Sequence, residues 1–146
     1  LMVSYESARL QTAARAVGVS QAAFDFALQY SKEREQFGKP ICEHQAIRMK
    51  LSEMAVELEA ARQLVYYAAS MKDSGKRCDL EAGMAKVKAA KAVEFITREA
   101  MQILGGYGYS KEFPVERYWR DGRVISIFEG TSEIQHEVIA KSILNK

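Results

Sequence analysis

The residues best suited to chemistry lie near the C-terminal end, in Ile127–Gln135, I-F-E-G-T-S-E-I-Q. Glu129 falls on a predicted loop, Gly130 follows it, and Thr131 and Ser132 are both types that cap helix N-termini. Ile134, Val138 and Ile139 then recur at helical spacing, which predicts a helix from about Ser132 to Leu144. The two acids of this stretch therefore sit in different settings. Glu133 occupies a first helical turn, where the macrodipole favours an anion. Glu129 precedes the helix, where a dry and shaped environment would make it a general base and open water would leave it an ordinary loop carboxylate. The residues alone leave both readings open.

Other spacings carry less. Glu133-x-x-His136 is the element that di-iron bundles use twice, but it occurs once here, and His44 has no carboxylate three residues before it. Half the ligands of such a site are missing, so no metal is expected. Nothing marks a nucleophile elbow. Gly105-Gly106-Tyr107-Gly108 brings backbone N–H groups together and equally suits a helix C-terminal cap. Arg34 stands at the end of a predicted helix, where a cation complements the dipole.

Long helices must position these residues. A first helix is predicted over about Tyr5–Glu33, with Leu10, Ala14, Val17, Gln21, Phe24 and Leu28 on one face and close packing at Gly18. Phe37-Gly38-Lys39-Pro40 ends it. A second, about Glu43–Asp73, carries Ile47, Leu51, Met54, Leu58, Ala61, Val65 and Ala68 at alternating steps of four and three, a bundle seam. A third begins at Asp79, with Leu80, Met84, Val87, Ala90 and Val93 along one side up to Gly105-Gly106. Lys86, Lys88 and Lys91 read as its solvated face. A short helix follows Pro114 through about Asp121, then the apolar connector Val124–Phe128 and the last helix. The fold class is all-α, an up-down four-helix-type bundle filling residues 1–146 as one domain.

Composition narrows the function. A chain 48% hydrophobic and 27% charged, with formal net charge +2, offers no clustered basic surface for nucleic acid. No apolar run reaches membrane-spanning length. Cys42 and Cys78 are far apart and read as reduced thiols of an intracellular protein; the expected compartment is bacterial or archaeal cytoplasm, or mitochondrial matrix, and the cysteines do not choose among these. The chain opens at Leu1 in mid-pattern, as a fragment would.

Taken together, several stretches form an ordered set: Arg9, E-R-E-Q-F-G-K-P-I from Glu33, E-H-Q-A-I from Glu43, Q-I-L-G-G-Y-G-Y from Gln102, P-V-E-R-Y-W-R-D-G-R from Pro114, and F-E-G-T-S-E-I-Q from Phe128. In this order and over nearly its full length the chain resembles the C-terminal helical domain of the FAD-dependent acyl-CoA dehydrogenases. The resemblance implies that Glu129 is the base that removes the α-proton of an acyl-CoA thioester while a β-hydride passes to the flavin. Desolvation by substrate would raise its pKa from ~4.3 toward that task. The Glu129 N–H is expected to hold the thioester oxygen, and Gly130 to let substrate approach. Glu6 and Arg9 fall on the substrate side. A minority of the family carries its base at the position of Ala8, which cannot abstract a proton.

For FAD, the resemblance assigns Arg34, Gln36, Phe37, Gln45, Gln102, Ile103, Leu104, Gly105 and Gly106 to the cofactor of a neighbouring subunit. It assigns Thr131, Ser132 and Glu133 to the cofactor beside Glu129. A homo-oligomer, tetramer or dimer, follows from that division, and an electron-transfer flavoprotein is the expected electron acceptor. An acyl-CoA oxidase, or a non-catalytic helical bundle kept for assembly, are the rival readings. The chain departs from some relatives at Gln36, where they carry threonine, and at Tyr107, where they carry a smaller polar residue. The family's N-terminal helical and middle β-domains are absent from this chain, so alone it is expected neither to bind FAD tightly nor to turn over.

Overall fold

The computed structural model describes residues 2–145, with side chains from Glu6 onward; Leu1 and Lys146 lie outside the described residues. Three long helices dominate: α1 (Met2–Glu33), α2 (Gln45–Asp73) and α3 (Asp79–Leu104), followed by the shorter α4 (Val115–Val124) and α5 (Ser132–Leu144). Ion pairs reveal their directions. Glu6, early in α1, bonds Lys72 at the end of α2 (3.2 Å) and Arg77 just before α3 (2.7 Å). Lys50, early in α2, pairs with Glu99 late in α3. Thus α1 and α3 run the same way with α2 against them, the expected up-down bundle.

The seam of α2 is as its spacing predicts, with Met54, Leu58, Ala61, Val65 and Ala68 buried. In α1 the face differs from expectation. Ala14 is exposed and Leu10, Val17, Gln21, Phe24 and Leu28 are only half-buried, whereas Ala13, Ala16, Ser20, Ala23, Ala27 and Ser31 form the buried stripe. Small residues let helix backbones approach closely, and a hydrophobicity count overlooks them because alanine and serine weigh little in it. Gly18 lies on the opposite, exposed side, and a Cβ there would meet nothing within 4 Å, so it makes no close packing within this chain.

Packed by α1, α2, α4 and α5, α3 is buried on most of its circumference rather than along one side. Lys86 is part of that interior, with no exposed surface, so it does not belong to a solvated face. Lys88 pairs with Glu57 at 2.6 Å across to α2, and Lys91 is exposed as expected. Gly122 of α4 lets that helix lie on α3: a Cβ there would stand 3.1 Å from Val93 Cγ2.

The link between α1 and α2 is a small hairpin in place of a simple helix stop. Two-residue strands β1 (Glu35–Gln36) and β2 (Lys39–Pro40) pair antiparallel, Glu35 with Pro40 and Gln36 with Lys39. Phe37 and Gly38 turn it with φ of 55° and 79°, the doubly positive backbone of the favoured two-residue hairpin turn. A 3-10 turn over Ile41–Glu43 then precedes α2, which starts at Gln45 instead of Glu43. Both cysteines are free thiols. Among the described residues no helix is long and apolar enough to cross a membrane.

Candidate functional site

Glu129 sits in the connector between α4 and α5, and the local sequence fixes its backbone. Ile127 and Phe128 donate back to the Val124 carbonyl (2.9 and 3.2 Å), ending α4, and Ser132 N donates to Ser126 O (3.0 Å), closing the loop. Thr131 caps α5 as predicted, its Oγ1 accepting from Ile134 N at 3.3 Å. Between these ties Glu129 and Gly130 both take positive φ, 53° and 88°. For glycine this is free of penalty; for an L-residue it costs on the order of 1 kcal/mol. The Glu129 side chain is exposed in this chain, so any dry surroundings must come from what else covers it. Glu133 is exposed too, and hydrogen bonding from its own backbone N–H and from Thr131 holds its carboxyl below the usual range.

Behind the loop lies a set of residues that the spacing did not single out. Lys86 Nζ donates to Gly130 O at 2.6 Å from a fully buried position. Burial pushes its ammonium pKa down, and the Glu133 and Glu129 charges only partly oppose this. Gln135, on α5, is likewise fully buried, and neither atom of its carboxamide has a hydrogen-bond partner among the described residues. It is the buried residue of α5, while Ile134 is 56% exposed. A Cβ added at Gly130 would come within 2.3 Å of Gln135 Nε2. The need for glycine at 130 is therefore internal to the loop, a reason separate from substrate approach.

Glu6 and Arg9 belong to an ionic cluster at the α1 start. Glu6 is 1% exposed and engaged by Lys72 and Arg77; Arg9 Nη1 meets Asp79 Oδ1 at 3.2 Å. Burial alone would push the Glu6 carboxyl up, but hydrogen bonds from Arg77 and Lys72 outweigh it and the net shift is down.

A second group assembles at the far end of α3. Arg34, Gln36, Phe37, Ile103, Leu104, Gly105 and Gly106 line one cleft of about 850 Å3, walled also by Tyr30, His44 and Tyr107. Gly105 ends α3 with φ 60°, and a 3-10 turn over Gly105–Tyr109 folds the chain back. Tyr107 stacks on Phe113 (5.1 Å) and lies under the Arg34 guanidinium (5.9 Å). Phe37 is 94% exposed at the hairpin tip, edge-on to His44. Gln45 and Gln102 do not line this cleft: Gln45 belongs to a shallow recess with Arg48 and Met49, and Gln102 is exposed. Among the described residues no group of three metal-ligand side chains converges.

Residues 1–144 match the family model described as acyl-CoA dehydrogenase, C-terminal domain. The chain belongs to that family. It is 50% identical over 145 residues to (2S)-methylsuccinyl-CoA dehydrogenase of Cereibacter sphaeroides, covering 99% of this chain and 26% of that protein. It is 48% identical over 145 residues to the caffeyl-CoA reductase–Etf complex subunit CarC of Acetobacterium woodii, covering 99% and 38%. The butyryl-CoA dehydrogenase structure from Megasphaera elsdenii superposes with a TM-score of 0.97 at 45% identity, covering 98% of this chain and 37% of that one. This acyl-CoA dehydrogenase C-terminal domain thus spans well under half the length of these relatives.

Proposed function

We propose that the chain serves as the C-terminal domain of a flavoenzyme that desaturates an acyl-CoA thioester between its α- and β-carbons, with Glu129 as general base. The supporting observation is the Glu129 backbone. A non-glycine residue in the left-handed region persists only where its surroundings over-determine it, and such strain gathers at functional positions. The loop ties on either side leave the carboxylate free while holding its main chain, which is what proton abstraction from a weak carbon acid requires.

FAD is the cofactor this reading calls for, and the cleft residues suit it. The Arg34 guanidinium offers a charge-assisted donor to pyrophosphate, and Gly105 and Gly106 put no Cβ in the way of a close backbone contact. Thr131 and Ser132 lie at the N-terminus of α5, beside Glu129, for a second cofactor contact. FAD, when bound, accepts the β-hydride; the chain's own part is to orient the thioester and take the α-proton. The cleft and the Glu129 loop lie toward opposite ends of α3, roughly 27 Å apart from Lys86 to Leu104 at ~1.5 Å per residue. One copy then serves two cofactors, and the assembly is a homo-oligomer. An electron-transfer flavoprotein is the proposed acceptor, in keeping with the relative named as part of an Etf complex.

The test is Glu129→Gln in the full-length enzyme. Deuterium exchange at the α-carbon of bound butyryl-CoA and (2S)-methylsuccinyl-CoA should fall by at least ~10³-fold with flavin content unchanged. Exchange at the wild-type rate removes Glu129 from the chemistry.

A further inference from the structure

Lys86 is a charged residue where the fold asks for an apolar one. Its neighbours in α3, Ala82, Ala85, Ala89 and Ala90, are buried, and it has no exposed surface itself. No carboxylate lies within ion-pair distance among the described residues; its hydrogen bond goes to a neutral carbonyl, Gly130 O, at 2.6 Å. A buried ammonium without a salt bridge is costly, and methionine would fill the same volume with no charge to desolvate. Stability therefore does not account for lysine here. The position of its one acceptor does.

That acceptor belongs to the residue directly after Glu129, at the second of two consecutive positive-φ positions. The other polar side chain nearby, Gln135, fills the space against Gly130 but forms no hydrogen bond. The remaining ties of the loop lie at its ends, on Ser126, Thr131 and Ser132. Among the described residues Lys86 is thus the one side chain that grips the middle of the turn, and it does so with a charge-assisted bond of about twice the ordinary strength. Its ammonium also lies close enough to the Glu129 and Glu133 carboxylates to feel both.

We propose that Lys86 is a positioning residue for Glu129: by anchoring the Gly130 carbonyl from the interior it holds the Glu129–Gly130 turn left-handed and so aims the carboxylate. The inference rests on Glu129 being the base, and it adds a residue that acts through the Gly130 carbonyl rather than by touching substrate. Releasing the carbonyl lets the Glu129 backbone relax toward negative φ, which swings the side chain out of line without disturbing the acyl or flavin contacts.

The experiment compares full-length wild type, Lys86→Met, Lys86→Gln, Lys86→Arg and Glu129→Gln, each loaded with FAD. The readouts are α-deuterium exchange of butyryl-CoA and (2S)-methylsuccinyl-CoA, thioester affinity by flavin absorbance titration, and flavin content. Lys86→Met should slow exchange by ~10–100-fold while affinity and flavin content stay within ~2-fold of wild type. Lys86→Gln is uncharged and one bond too short to reach Gly130 O, so it should lose as much; it decides the matter if Lys86→Met does not fold. Lys86→Arg keeps a charged donor of sufficient length and should recover part of the loss. Wild-type exchange in a folded Met or Gln variant overturns the proposal. So does a loss of affinity or flavin equal to the loss of rate, or an Arg variant no better than Met, since each assigns Lys86 to packing alone. Exchange that survives Glu129→Gln counts against the base itself, a separate failure.

Discussion

Gly130→Ala offers the sharpest test of how the loop is built. Two costs add. The alanine must hold a φ of 88°, which for an L-residue is about 1–2 kcal/mol. Its Cβ would also sit 2.3 Å from Gln135 Nε2 and 3.5 Å from Gln135 Cδ, so the carboxamide must leave its slot. That slot is tight on the other side as well, since Gln135 Oε1 stands 3.6 Å from where a Cβ would be on Gly83. Forcing a buried side chain off its rotamer costs about 1 kcal/mol. The total is about 2–3 kcal/mol, or a fall in Tm of roughly 6–9 °C at ~3 °C per kcal/mol for a domain of this size. Thermal unfolding followed by circular dichroism measures it, within a double-mutant cycle against Gln135→Ala. Removing the Gln135 side chain should cancel the steric part and leave the backbone part, a coupling of about 1 kcal/mol. A Gly130→Ala protein that melts with wild type, or a cycle that closes to zero, refutes this account of the loop.

Two further perturbations probe the elements that hold the site. Thr131→Ala removes the cap on Ile134 N and should cost about 1 kcal/mol in denaturant unfolding, with Thr131→Ser close to wild type because the hydroxyl remains. Glu6→Gln weakens the bonds to Lys72 and Arg77 that tie α1 to α2 and α3, and near neutral pH should cost about 2 kcal/mol. Because the folded Glu6 carboxyl titrates below its ordinary value, its contribution is complete above that value and drains away as pH falls through the folded pKa. Wild type and Glu6→Gln should accordingly converge in melting temperature on acidification below about pH 4; a gap that stays constant into acid would locate the stabilisation elsewhere.

What the sequence disclosed follows from which interactions have a period. The seam of α2 is large and apolar, so its alternation of three and four residues is plain and the structure keeps it. The cap at Thr131 and the end of α3 at Leu104 are equally local, written in residue types at fixed offsets. The buried face of α1 was hidden because alanine and serine do its packing. Lys86 was hidden for a deeper reason. On a helix with lysines at 86, 88 and 91, only the burial of α3 on most sides distinguishes the first from the others, and burial on all sides has no periodic mark. The cleft residues from Arg34 to Phe37 and Ile103 to Gly106 were grouped by family resemblance, and the fold gathers them because α1 and α3 run the same way and end together. Gln45 and Gln102 carried the same resemblance yet face elsewhere in this chain.

Lys86 and the Ile103–Leu104 corner share a single uninterrupted rod, α3, gripped by neighbours on nearly every side. Adding or deleting one residue anywhere between them would turn one end against the other by ~100° and shift it ~1.5 Å. The ammonium would then point into a different neighbour while the cleft stayed as it was. This segment should therefore accept exchanges of residue type far more readily than any change of length, and a library of single-codon deletions across it would find almost no survivors.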